Sequence, residues 1–204
     1  MAIDPNALTT LEDVKAQIGI PVLDTTQDTL LERMINAASE KIESFLDRRI
    51  KKRSWTEYQD GRGNDRIMLR QWPCDKPTEL WDDISNEFTD TDNMVDVTDF
   101  TTEGDPAIGV ILLSGLSFSK SNRNIKVVYE AGYDSVPYDI SEACINTVEF
   151  MYDLRNNRRM GTSTKSKNGE TISYLGNLPE FVIDMLLPYQ RFEFGHASIA
   201  VQSN

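Results

Sequence analysis

The chain has 204 residues and a formal net charge of −12 at pH 7, and hydrophobic residues make up 39% of it. This composition is typical of a soluble protein with enough apolar residues for a core, in one domain or one domain with an insertion. No run approaches the ~18 apolar residues of a membrane span, and residues 1–10 lack the features of a signal peptide. We therefore expect a protein that stays in the cytoplasm where it is made.

The acidic residues are concentrated in one part of the chain. Between residues 78 and 119 there are ten Asp or Glu residues and no Lys or Arg. Because phosphate binding depends on cations, such a chain is a poor candidate for gripping nucleic acid. The acidic stretch either serves solubility or keeps the protein from adhering to DNA beside it, and charge alone leaves both open. Counted from Asp90, the EF-hand glycine and glutamate positions hold Val95 and Thr101, so we predict no calcium site.

Two helices are predicted at the N-terminal end. Thr9 and Glu12 fit a capping box for a short helix, which Gly19 and Pro21 end. A long helix follows from about Gln27 to Arg48. Its apolar stripe recurs at three- and four-residue steps, at Leu31, Met34, Ile35, Ala38, Ile42, Phe45 and Leu46. Charged residues populate the other side, at Glu32, Glu40, Lys41 and Glu43.

A basic cluster comes at the end of this long helix, formed by Arg48, Arg49, Lys51, Lys52 and Arg53. Cations at a helix C-terminus complement the helix dipole, which is one explanation of the cluster. The other is a patch that faces a partner or DNA.

Short extended runs replace the helical period between Trp55 and Tyr133. The candidate strands are residues 54–59, 66–71, 78–82, 95–101, 108–113 and 124–130, with turns at 60–64 and 104–106. This pattern predicts a compact antiparallel region of five or six strands, inserted between helices.

Helix returns after Pro137 and fades near Asn156. The segment 161–176 is rich in Ser, Thr, Lys, Asn and Gly, and we expect a mobile loop there because it cannot bury enough surface to offset its ordering entropy. A last short helix is predicted to bury Phe181, Val182, Met185 and Leu186. We thus expect a single domain over 1–204: helical 8–50, β 54–133, helical 137–188 with a loop at 160–177, and a flexible tail 189–204.

The residues give little sign of catalysis. Cys74 and Cys144 are far apart and fit two buried free thiols. The single histidine, His196, lies in the predicted tail, where a catalytic base would not be held rigidly. Gly61-Arg62-Gly63 is too short for a nucleotide-binding fingerprint and indicates a hairpin turn. We predict no catalytic, cofactor or metal site. An acid-dependent hydrolase and a DNA- or membrane-binding module are the competing classes.

Four phrases in order resemble the head–tail connector, or adaptor, proteins of tailed bacteriophages. Residues 8–20 and 28–50 resemble the family's short helix and its long helix ending in "ESFLDR". Residues 67–74 ("IMLRQWPC") resemble its strand leading into a Trp-Pro. Residues 124–155 contain a Tyr-x-Ala-Gly-Tyr, a Val-Pro and a helix, and residues 178–192 resemble its closing "LLxPYRRF" helix. The acidic stretch and the segment after Phe192 depart from the pattern.

The resemblance implies an α+β fold, mainly helical with an inserted antiparallel β region. It also implies a structural, non-enzymatic role in the virion neck, as a homo-oligomeric ring of about twelve subunits beneath the portal protein. Such a ring carries the next neck or tail protein, and DNA passes through its lumen without specific binding. A head-closure or tail-completion protein of the same neck is the alternative.

Two sets of residues are candidates for contacts in such an assembly. The first is the aromatic-bearing C-terminal segment, where we expect portal or neck docking by Tyr189, Arg191, Phe192 and Phe194, since aromatic residues often anchor interfaces. The second is the predicted loop, where we expect subunit or neck contacts by Lys165, Lys167, Ile172 and Tyr174.

Overall fold

The computed structural model describes residues 2–104, 107–156, 164–167, 170–173 and 178–190. It divides into two compact units, residues 1–47 with 138–204 and residues 48–137, which we call the helical unit and the β unit. The α+β class and the order of helices, strands and helices agree with the sequence prediction. The description "mainly helical" is wrong, since the β unit contributes six strands to the described part of the chain.

The helical unit contains α1 (Leu11–Ile18), α2 (Asp28–Leu46), α3 (Tyr138–Asn156) and α4 (Glu180–Leu186), followed by a 3-10 turn at Leu187–Tyr189. α3 packs against the other three helices. The predicted stripe of α2 and one face of α3 supply the core, with fully buried side chains at Leu31, Ile35, Ala38, Ile42, Ile140, Ala143, Cys144 and Val148. Each large apolar side chain buried in this way stabilises the fold by about 1.5–3 kcal/mol.

The helix ends differ from the predictions by one or two residues. Thr10, not Thr9, caps α1: its Oγ1 accepts a hydrogen bond from Asp13 N at 3.1 Å, while Thr9 is buried. Gly19 ends α1 in the left-handed region, with φ of 73°, as predicted. α2 ends two residues early because Asp47 takes a left-handed conformation, with φ of 50°.

Two residues of the helical unit lie differently from their predicted positions. Glu43, predicted to face solvent, is buried on α2. Phe181, predicted to be buried, is exposed at the start of α4, whereas Val182 and Leu186 are buried as predicted. Both cysteines are buried free thiols, as predicted. Burial raises the pKa of Cys144 to about 12.

The β unit contains β1 (Arg53–Gly61), β2 (Arg66–Met68), β3 (Glu79–Asp82), β4 (Phe100–Gly104), β5 (Ala107–Leu113) and β6 (Ser121–Ala131). The strands form two antiparallel three-stranded sheets, in the orders β1-β6-β3 and β2-β5-β4. One apolar cluster contains residues of both sheets, namely Ile67, Leu69, Cys74, Leu80, Phe100, Ile111, Leu113, Phe118, Ile125, Val127, Tyr129 and Ala131.

The fourth predicted strand, residues 95–101, begins only at Phe100. Asp96 Oδ1 accepts hydrogen bonds from the backbone N and the hydroxyl of Thr98, both at 2.8 Å. This local turn competes with strand pairing. The bond to the Thr98 backbone also holds the pKa of Asp96 below its usual range.

A buried carboxylate joins β1 to the segment after β2. The side chain of Glu57 accepts a hydrogen bond from the Tyr129 hydroxyl and bonds from Arg70 N at 3.1 and 3.2 Å. The Tyr129 oxygen in turn accepts from Gln71 N at 3.2 Å. Burial raises the pKa of the Tyr129 hydroxyl, so it remains a donor at neutral pH. The network therefore holds residues 70–71 beside the first sheet.

Replacing Tyr129 with Phe removes one donor from this buried carboxylate. We expect Y129F to lower the free energy of unfolding by about 1–3 kcal/mol, because Glu57 stays buried with fewer partners. Tyr138→Phe is the matched control, since the Tyr138 side chain is 94% exposed. Urea unfolding measures both variants, and equal midpoints for Y129F and the unmutated chain would contradict the structural role of the network.

Candidate interaction surfaces

The predicted docking residues at the C-terminal end lie mostly outside the described residues. Tyr189 is half-buried, and its hydroxyl donates to Asp139 Oδ2 at 3.3 Å. The side-chain amide of Gln190 donates to the Phe45 carbonyl at 3.4 Å. These bonds tie the end of the described segment to α2 and α3. The other candidates, Arg191, Phe192 and Phe194, fall outside the described residues.

The predicted contact loop contains a β-hairpin. β7 (Thr164–Lys167) pairs antiparallel with β8 (Glu170–Ser173), with Lys165 opposite Ile172 and Lys167 opposite Glu170. Three of the candidate residues, Lys165, Lys167 and Ile172, thus lie on paired strands. Tyr174 falls outside the described residues.

The basic cluster has a structural role that the helix-dipole explanation misses. α2 ends at Leu46, before the cluster begins, and its last turn contains no basic residue. Arg48 is instead buried in the β unit. Its guanidinium carbon lies 3.6 Å from the centre of the Trp72 ring, and its Nη1 donates to the Trp72 carbonyl at 2.7 Å.

Lys52 of the same cluster is surrounded by carboxylates. Its Nζ lies 2.7 Å from Asp75 Oδ2, 3.4 Å from Asp134 Oδ1 and 3.7 Å from Glu130 Oε2. The hydrogen bond to Asp75 raises the pKa of Lys52 to about 12. Arg48 and Lys52 therefore serve contacts within the β unit, and neither supports a cationic patch that faces DNA.

A buried lysine shapes an apolar loop in the helical unit, and the sequence pattern did not indicate it. Lys15, 2% exposed, donates to the carbonyls of Val22 at 3.1 Å and Asp24 at 2.8 Å and forms an ion pair with Asp28. These bonds fix the loop between α1 and α2. The Leu23 side chain of this loop is 94% exposed, which makes it a candidate contact residue.

The start of the acidic stretch is locally ordered. Asp83, buried in the β unit, accepts hydrogen bonds from Ser85 Oγ at 2.7 Å and Phe88 N at 2.8 Å. The bond to Ser85 is the main reason that the pKa of Asp83 lies below its usual range. Among the described residues, no group of His, Cys, Asp or Glu side chains is arranged to hold a metal ion.

None of the helices in the described part of the chain has the length and apolar character of a transmembrane span.

The aromatic stacking of Arg48 gives a direct test of the structural role of the basic cluster. Arg48→Lys keeps the charge but loses the planar group that stacks on Trp72 and bonds its carbonyl. We expect the free energy of unfolding to fall by about 1–2 kcal/mol, the range of a desolvated cation–π contact. Arg33→Lys on the exposed face of α2 is the control. If urea unfolding, monitored by tryptophan fluorescence, gave the same midpoint for both variants, the stacking of Arg48 on Trp72 would not contribute to stability.

Comparison with protein families gives a match over most of the chain. The family model described as "head completion protein" matches residues 7–192. No curated protein matches the sequence.

Comparison with solved structures gives matches over nearly the whole chain. A chain from the neck of an empty GTA particle, computed with C6 symmetry, has a TM-score of 0.62 and 16% identity, covering 95% of this chain and 94% of that one. A chain from the neck of a native GTA particle, computed with C12 symmetry, gives a TM-score of 0.60 and 17% identity, covering 95% and 93%. A chain from the virion of a native gene transfer agent (GTA) particle gives 0.61 and 17%, covering 95% and 94%. At these identities the likeness shows a shared fold.

The family match spans most of the chain, and it confirms the resemblance to phage head–tail neck proteins that the sequence phrases carry. This protein belongs to the head completion protein family.

Proposed function

We propose that the protein is a structural head–tail connector, or adaptor, in the neck of a tailed phage or a phage-like particle. In this role it forms a ring beneath the portal protein, joins the capsid to the next neck or tail protein, and surrounds the path of the DNA. The observation that carries the proposal is the family match over residues 7–192. The same fold in chains of GTA necks, over 95% of this chain, supports it.

A ring requires two different, complementary surfaces on each subunit, because its contacts run head to tail. Neck structures computed with C6 and C12 symmetry support a ring of about twelve subunits for this chain. The loop fixed by Lys15 is one candidate surface, since Leu23 is exposed on a loop whose shape is set before docking. Preorganisation of this kind lowers the entropy cost of association. We assign Leu23 to the contact between neighbouring subunits.

Two further surfaces are assigned to other contacts. The segment 190–204 carries Phe192 and Phe194 and is proposed to dock on the portal or a neighbouring neck protein. The β7–β8 hairpin, with Lys165 and Lys167 on one strand, is proposed to contact an adjacent subunit or the next neck protein. A hairpin holds its two strands in a fixed register, which suits a repeated contact in a ring.

The proposed role is assembly and not catalysis. It is supported by the family description, which names completion of the head. A head-closure or tail-completion role in the same neck is the second candidate, favoured by the words "head completion" in the family description. The two roles differ in which neighbours the protein contacts. Binding to heads that carry a portal but no other neck protein distinguishes them, because only the adaptor binds at that stage.

Attachment to isolated heads tests the proposal. Purified protein is mixed with DNA-filled heads that carry the portal and lack neck proteins, and bound copies are counted after sedimentation. We expect about twelve copies per head, the number of subunits in one twelvefold ring. We expect F192S/F194S to sediment without heads while keeping the unfolding midpoint of the unmutated chain.

The control variant for this experiment is Phe181→Ser, which changes an exposed phenylalanine of α4 and should leave attachment unchanged. Full attachment of F192S/F194S would contradict the docking assignment of the C-terminal segment alone. Failure of the unmutated protein to bind portal-bearing heads, or equal binding to heads without a portal, would contradict the adaptor role itself.

A further inference from the structure

The end of β1, the start of β6 and the turns next to them border an open cleft of about 650 Å³. One turn follows β1 and the other leads into β6. The cleft is lined by Asp60, Gly61, Arg62, Lys120, Ser121 and Asn122. None of these residues belongs to the surfaces assigned above.

A buried asparagine locks the two turns together. The Asn124 side chain, 0% exposed, accepts a hydrogen bond from Gly61 N at 2.7 Å and donates to the Ser119 carbonyl at 3.1 Å. It also donates to Asp82 Oδ1 at 2.6 Å. A Cβ at Gly61 would lie 1.9 Å from the Ser119 carbonyl oxygen, so the turns approach as closely as glycine permits. The cleft is therefore a preformed part of the fold.

The neighbouring backbone is also held in an unusual conformation. Arg123 lies in the left-handed region, with φ of 51°, and its N–H donates to Asp60 Oδ1 at 2.8 Å. Its guanidinium carbon lies 5.4 Å from the centre of the Tyr58 ring. The Asp60 carboxylate is thus engaged by the backbone, and Arg123 is fixed next to the cleft.

The charge at this end contrasts with the acidic chain. Arg62 and Lys120 are exposed, and neither has an ion-pair partner among the described residues. Lys126, in contrast, lies 3.4 Å from Glu79 Oε2. Arg62 and Lys120 thus bring two cations to the lining of the cleft, and the exposed Arg123 follows the lining residue Asn122, in a protein of net charge −12.

We propose that this cleft binds the phosphodiester backbone of DNA. Arg, Lys, Ser and Asn are among the side chains that contact phosphate oxygens of DNA, and Arg62, Lys120, Ser121 and Asn122 bring all four types to the cleft. Its open shape admits a continuous chain. Local cations act in spite of the net charge because ionic screening limits distant repulsion to about 8 Å at physiological salt. The choice of DNA among polyanions rests on the proposed neck role.

The test measures binding of the full chain to a fluorescent 20-base-pair DNA duplex of arbitrary sequence, by anisotropy, between 30 and 90 mM NaCl. Three phosphate contacts predict a slope of about −2.7 for log K against log salt, or about a 20-fold loss of affinity over this range. The double variant R62Q/K120Q should retain one phosphate contact, so its affinity should fall only about threefold over the same salt range. R33Q/R155Q, which removes two exposed cations of the helical unit, should behave as the unmutated chain.

Three results would overturn the proposal. The first is an absence of DNA binding by the unmutated chain at 30 mM NaCl. The second is an equal slope of log K against log salt for R62Q/K120Q and the unmutated chain. The third is an equal loss of DNA affinity in R62Q/K120Q and R33Q/R155Q. Displacement of a fluorescent poly-glutamate peptide by unlabelled peptide but not by DNA would assign the cleft to an acidic protein segment instead. The neck role requires attachment to portal-bearing heads whether or not the cationic residues of the cleft are present. Attachment of R62Q/K120Q to these heads therefore tests the neck role separately from DNA binding.

Discussion

The antiparallel pairing of β1 with β6 is the constraint on which the β unit depends. Its register places Glu57 opposite Val127 and therefore diagonal to Tyr129 on the same face, where carboxylate and hydroxyl meet. The same pairing brings Gly61 beside the buried Asn124. A shift by one residue would turn both polar groups away from their partners. The register of β1 and β6 thus fixes both the hydrogen bonds that hold residues 70–71 and the cleft at the end of the sheet.

Polar groups buried in this way cost free energy when their partners are lost, so they specify one arrangement. In the helical unit the corresponding feature is Lys15, whose ammonium group is satisfied by two carbonyls and Asp28. Apolar burial alone would not fix the loop between α1 and α2. The lysine does so and leaves Leu23 exposed. In the ring that we propose, each subunit presents the same surface to its neighbour, and a fixed loop is an advantage there.

The sequence predicted the elements well where a periodic apolar pattern governs them. The stripe from Leu31 to Leu46 forms a buried face, and Ile125 and Val127 of the predicted strand 124–130 are buried. It failed where a charged side chain is buried by distant partners. Arg48 stacks on Trp72, 24 residues away, and no local pattern reveals that contact. The strand predicted from residue 95 failed because Asp96 forms a local turn with Thr98.

The candidate contact residues could be predicted only by composition and resemblance. The family resemblance rested on phrases that occupy α1, α2, β2, β6, α3 and α4, and each of these elements has residues buried in one of the two cores. The cleft lined by Arg62 and Lys120 could not be predicted, because the two residues are separated in sequence by most of the β unit and come together through the pairing of β1 with β6.

The decisive measurement is cryo-electron microscopy of the neck of the native particle. We expect a closed ring directly beneath the portal, in which the density of each subunit fits both the helical unit and the β unit of this chain. Density for this fold elsewhere in the particle, or none at the portal, would contradict it.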